Sequence, residues 1–169
     1  MSAKALLRSL LEYKAWANAE LLDLLETIPE ARRDASFGLA LRILAHTHIV
    51  DRIFIGNMQR KPHGHTATSS AEVPDLGRLK AEMAEADALL AAYLDGLDEL
   101  ALDERIDFTF VDGAPGSMTR GQMLAHLVTH GGYHRGAVGR ILNELGTKPP
   151  RDTVTVFLHR PAAAAPDRA

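Results

Sequence analysis

The chain has no cysteine among its 169 residues. Disulfides, thiolate metal ligands and a cysteine nucleophile are therefore excluded, and any metal ion must be held by nitrogen and oxygen ligands. It also lacks an excess of positive charge. Lys and Arg number 19 against 22 Asp and Glu, a formal charge of −3. The two signs are interspersed rather than gathered into the basic face that a polyanion needs, so no nucleic-acid partner is expected. Long apolar runs are missing too. No stretch approaches the ~20 apolar residues of a membrane span. Charges at Lys4, Arg8, Glu12 and Lys14 break the N-terminal segment where a signal peptide needs an unbroken apolar run. The expectation is a cytoplasmic protein with no membrane partner. With no linker and no internal repeat, residues 1–160 read as one domain and 161–169 as a flexible tail.

What the chain does have is helical periodicity. Leu6, Leu10, Tyr13, Ala17, Leu21 and Leu24 follow steps of three and four in a first helix from residue 3 to about 28, stopped by Pro29. Trp16, the only tryptophan, reads as core, with a pocket lining as the alternative. A second helix runs from Phe37–Leu39 to about Gln59 and carries two apolar sets. One is Leu41, Leu44, His48 and Ile55; the other is Leu39, Ile43, Val50 and Ile53. A helix apolar over that much of its circumference is central in a bundle or lies in an oligomer interface.

Residues 61–74 are rich in Gly, Pro, Ser and Thr and read as a surface loop, with His63 and His65 solvated in it. Asp75 is placed to cap a third helix to about Leu97, whose stripe of Leu76, Leu79, Met83, Ala86, Leu90, Tyr93 and Leu97 is scaffold. Ile106–Val111 alternates as a short extended segment before the turn-rich Asp112–Gly116. Thr119 with Gln122 three residues on is the signature of a capping box, opening a fourth helix that ends near Leu145 and Gly146. Asp152–Leu158 is apolar and β-branched, so it is expected to pack on the body. The fold class is all-α: a four-helix bundle with a long helix 2–3 loop and a short extended insertion before helix 4.

The most chemically loaded stretch lies on the fourth helix, where His126, His130 and His134 recur every four residues. Residues i and i+4 share a helix face about one turn apart. Two imidazoles so placed can hold one metal ion and leave coordination positions open. The plainer alternative is half-buried histidines bonded to nearby carbonyls. A third ligand from another helix would decide the matter. His48, in line with Leu41 and Leu44, is the natural candidate. His46 lies two residues away on another apolar face, and periodicity does not exclude it.

Four segments, in order, carry a resemblance. They are Tyr13-Lys-Ala-Trp16-Ala-Asn18, Leu44-Ala-His-Thr-His48-Ile-Val-Asp51-Arg-Ile-Phe54, His130-Gly-Gly-Tyr-His134-Arg-Gly136, and Pro149-Pro150-Arg-Asp152 with Phe157. Over nearly its whole length the chain resembles the DinB-like (DinB/YfiT) superfamily of metal-binding four-helix bundles. The resemblance implies the metal ligands His48, His130 and His134, with His126 a neighbour one turn away. Nickel, zinc and ferrous iron all accept imidazole. Asp51, one turn from His48, is expected to accept its ring N–H or to pair with Arg52 or Arg135. Arg135 is expected to form an internal salt bridge or to bind an anionic substrate. Tyr13 and Tyr133 carry hydroxyls that could reach the site or pack in the core.

The resemblance also implies two kinds of enzyme. One is an S-transferase or isomerase using a low-molecular-weight thiol such as mycothiol or bacillithiol; the other is a metal-dependent hydrolase. The absence of cysteine fits a thiol supplied by a cofactor, and no carboxylate is marked as a general base for a hydrolase. The other class of reading is a non-catalytic metal-binding or stress-response module. A homodimer acting on an unidentified small molecule is the expected assembly.

Overall fold

The computed structural model describes residues 1–161. Four long helices form the body: α1 (Ala3–Glu26), α2 (Ala35–Gln59), α3 (Leu76–Asp95) and α4 (Arg120–Glu144). Each begins at a side chain that accepts a first-turn N–H. Ser2 caps α1, Asp34 caps α2 and Asp75 caps α3. Thr119 and Gln122 form the reciprocal capping box on α4. Such caps stabilise a helix start by about 1 kcal/mol each. The Asp34 cap starts α2 slightly earlier than the apolar pattern alone indicates. At the far end of α4, Gly146 has φ 69° and takes the left-handed conformation that closes a helix.

α1 packs on α3 and α4, and α2 packs on α4 and α3. The expected extended insertion is a hairpin of β1 (Arg105–Thr109) and β2 (Pro115–Thr119), antiparallel, with Ile106 opposite Met118. β2 carries no strand signal, since Pro115-Gly116 reads as turn; pairing with β1 makes it a strand. Asp152–Leu158 does pack on the body. Its last residues form the short helix α5 (Val154–Leu158), and Phe157 sets its ring 6.0 Å from Tyr13 and 5.7 Å from Trp16. Beyond Pro161 the expected flexible tail lies outside the described residues. Among those residues no helix is long and apolar enough to cross a membrane.

The core falls into two apolar clusters stacked along the bundle. One contains Leu11, Phe54, Leu90 and Leu127; the other contains Leu25, Leu44, Met83 and Leu142. A buried polar layer near the boundary between them draws on all four long helices. The Lys14 ammonium, 1% exposed, donates to Asp51 at 2.7 Å and to Asp87 at 2.5 Å. Asn18 donates to Asp87 and accepts from Arg135, which also donates to Asp152; the Tyr13 hydroxyl donates to Asp152 as well. Burial alone would pull Lys14 down, but the two carboxylates outweigh it and hold the ammonium above its ordinary range. Asp51 goes the other way. Its burial outweighs the help of Lys14 and pushes it up to about 6. The layer needs a glycine on α4. A Cβ at Gly131 would lie 3.1 Å from Arg135 Nη1 and 3.6 Å from Lys14 Cε.

Candidate metal centre

Just beside this layer, on the side where α2 meets α4, three imidazoles converge. His130 and His134 are one turn apart on α4, and their Nε2 atoms are 3.1 Å apart. His46 of α2 brings its Nε2 to 3.2 Å from that of His130. One ring nitrogen from each lies within 4.8 Å of the others. The long α2–α3 loop contributes as well, because the Thr68 carbonyl lies 2.7 Å from His46 Nδ1. A carbonyl only accepts, so Nδ1 carries the proton and the Nε2 of a neutral His46 offers its lone pair to the cluster.

The 3.1 and 3.2 Å separations of the His130 Nε2 from its two neighbours fit a metal site. Around an ion with bonds of ~2.0–2.1 Å, adjacent ligand nitrogens stand ~2.9 Å apart at right angles and ~3.4 Å apart in a tetrahedron. The chemistry of the donors points the same way. The Nδ1 of His130 is buried with no partner. If the His130 proton sits on Nδ1, two lone pairs face each other at 3.2 Å; if it sits on Nε2, Nδ1 is a buried acceptor with no donor. A cation at the convergence of the Nε2 atoms takes their lone pairs and removes that clash, with the His130 proton on Nδ1. Burial, with the neighbouring histidines adding to it, pushes His130 down to about 4. His134 is lowered first by burial and then by His46. Both therefore favour the neutral form that metals bind.

Where the structure places the expected residues is mixed. His130 and His134 come together as anticipated, but the α2 partner is His46, and His48 is not in the group. Residues two apart on a helix point ~200° apart, and α2 lies against both α3 and α4. His46 therefore faces α4, whereas His48 faces α3, with its Nε2 3.9 Å from Glu82. Asp51 accepts from Lys14 rather than from His48. Arg135 makes the internal salt bridge, at 2.7 Å to Asp152. Tyr13 is buried in the polar layer, and Tyr133 is exposed with its ring 5.2 Å from that of His134.

His126 lies outside the metal group and packs between Phe54 at 4.9 Å and His130 at 5.2 Å, walling one side of the cluster. His63 and His65 sit in the loop, where the Nδ1 of His63 accepts from the His65 backbone. Trp16 is half-buried: it packs against the core and also lines a cavity between α1 and α4, so both readings describe it. Periodicity left His46 open, and the loop carbonyl of Thr68 has no signature in sequence.

No curated protein and no solved structure matches the chain. The DinB family model matches residues 1–167, and the chain belongs to the DinB family.

Proposed function

We propose that the protein is a metal-dependent enzyme that holds a divalent ion through His46, His130 and His134. The convergence of three imidazole nitrogens beside an open cleft carries this reading. The cleft is lined by Arg42, Ile43, His46, Thr68, Ser69, Ser70 and His134. Such an ion, when bound, supplies Lewis-acid chemistry to a ligand on its open side. The protein's own groups hold and orient. Thr68 fixes the His46 tautomer, as a carbonyl behind a metal ligand does. Phe54 and His126 keep water from the closed side.

Of the two enzyme types that the family resemblance implies, the cleft favours a low-molecular-weight-thiol S-transferase over a hydrolase. No Asp or Glu lines it among the described residues, so nothing there is placed to take a proton from water. A thiol would need no such base, because an ion held by the three histidines would favour its ionised form, with the proton released to water. Zinc, nickel and ferrous iron all suit three imidazoles. The same resemblance supports a homodimer, which sedimentation would measure.

Elemental analysis of untagged protein tests the site. His46→Ala and His134→Ala should lose the metal, and His48→Ala should keep it. Undiminished metal in the first two variants sinks the assignment. Incubation with small thiols and a panel of electrophiles should show metal-dependent conjugation, and a rate equal to background across the panel counts against the transferase.

A further inference from the structure

The mouth of the cleft carries a cation with no counter-charge. Arg42 lies one turn before His46 on α2 and lines the same cleft. It is half-buried, yet among the described residues it makes no hydrogen bond and no ion pair. Among the described residues the other buried or half-buried arginines have acidic partners: Arg8 has Glu12, Arg52 has Glu85, Arg120 has Glu104 and Arg135 has Asp152. A guanidinium that gives up part of its hydration without gaining an acceptor is left at a cost, and the cleft provides no carboxylate to offset it. The loop residues Thr68, Ser69 and Ser70 line the same cleft, and none of them is charged.

We propose that Arg42 makes this cleft an oxyanion-binding site, which receives a carboxylate or phosphate of the small molecule whose reacting end lies against His46 and His134. The proposal rests on the metal reading for which end reacts, but not for the anion site itself. The geometry also sets a length. The Arg42 side chain leans back along α2, with Nη1 3.7 Å from where a Cβ on Gly38 would stand. Between the levels of Gly38 and His46 the helix rises ~12 Å. The ligand must therefore be extended, with reacting atom and anion separated by roughly 8–10 Å. A bare two- or three-carbon acid is too short. Arg is suited to such a group because its fork matches an oxyanion with two parallel N–H donors.

The probes are 6-mercaptohexanoate, 6-mercaptohexanamide and 6-mercaptohexyl phosphate, alike except in the terminal group. Affinity is read from the visible absorption of the cobalt-loaded protein, and independently from the Arg42 Nε–Hε NMR resonance of the metal-stripped protein. The carboxylate should bind roughly ten- to a hundredfold more tightly than the amide, the worth of one charge-assisted contact. The phosphate arm tells which oxyanion is preferred. Arg42→Gln should erase the preference and leave the amide affinity unchanged, and Arg42→Lys should restore part of it. Equal affinity for acid and amide in the wild type, or a preference that survives in Arg42→Gln, overturns the proposal. If the protein takes up no cobalt, the metal reading falls. The Arg42 resonance then still decides the anion site: a shift with the acid and none with the amide upholds it, and no shift with either overturns it.

Discussion

Replacing Lys14 with Met keeps an unbranched side chain, one heavy atom shorter, and removes its charge from the centre of the bundle. In the wild type the ammonium is 1% exposed and joins Asp51 and Asp87, themselves 2% and 8% exposed. Removing one partner of a buried ion pair costs about 3–5 kcal/mol, because the remaining charge is left without compensation. That is a large share of the roughly 5–15 kcal/mol that holds a domain together. In a chain of this size it corresponds to a melting temperature lower by about 6–20 °C.

The dependence on pH identifies the mechanism. Asp51 is raised from 3.8 to about 6 in the folded state. A raised group contributes stability that is fully present below its unfolded value and is lost as pH rises through the folded value, here about 6. Without Lys14 the folded value moves higher still, so the variant holds a proton that the wild type has released. Each such proton changes the stability difference by about 1.4 kcal/mol per pH unit. The wild type releases that proton only above about pH 6, so the deficit at pH 7 should shrink by about 1.4 kcal/mol at pH 5.

Urea unfolding followed by far-UV circular dichroism at the two pH values measures this. Adding Asp51→Asn and Asp87→Asn to the variant should recover much of the loss, since an uncharged layer needs no cation. A deficit below about 1 kcal/mol at pH 7, or one that is the same at pH 5, would falsify the argument that Lys14 neutralises buried carboxylates.

Metal removal should leave the fold intact, because His46, His130 and His134 belong to neither apolar cluster. A chelator should preserve the helical signal and a cooperative transition, whereas unfolding on chelation would make the site structural rather than catalytic. Acidification should act through His130, whose folded value is depressed to about 4. A depressed group contributes stability above its unfolded value of 6.5 that is lost as pH falls through about 4. Metal-free protein should therefore weaken over that window, and His130→Asn should flatten the profile; an unchanged profile refutes it. Gly131→Ala should destabilise by about 1–3 kcal/mol despite the ~1 kcal/mol that alanine gains in helix propensity. The added Cβ meets an Arg135 that is 3% exposed and held by Asn18 and Asp152, so moving it aside strains those bonds. A rise in melting temperature would show that it does not.

The segments that carry the family resemblance do more than supply the three histidines. Tyr13, Lys14 and Asn18 of the first, Asp51 of the second, Arg135 of the third and Asp152 of the fourth meet in one polar layer. Nothing along the chain announces this. A lysine among leucines on an amphipathic helix is ordinarily solvated, with its stem along the apolar surface. Asp87, the second partner of Lys14, lies on the helix that reads as plain scaffold. Nor does a Pro-Gly start mark β2 as a strand, because only its pairing with β1 makes it one.

The sequence by itself determined what is local. The four helices, the capping box of Thr119 and Gln122, and the pairing of His130 with His134 all follow from spacings within one turn or two, where helix geometry leaves no freedom. Tertiary structure alone decided what is shared between helices. His46 and His48 both stand on apolar faces of α2, and only the packing of α2 between α3 and α4 sends His46 to the histidines of α4 and His48 to Glu82. Periodicity says which residues share a side of a helix; it does not say which neighbour that side will meet.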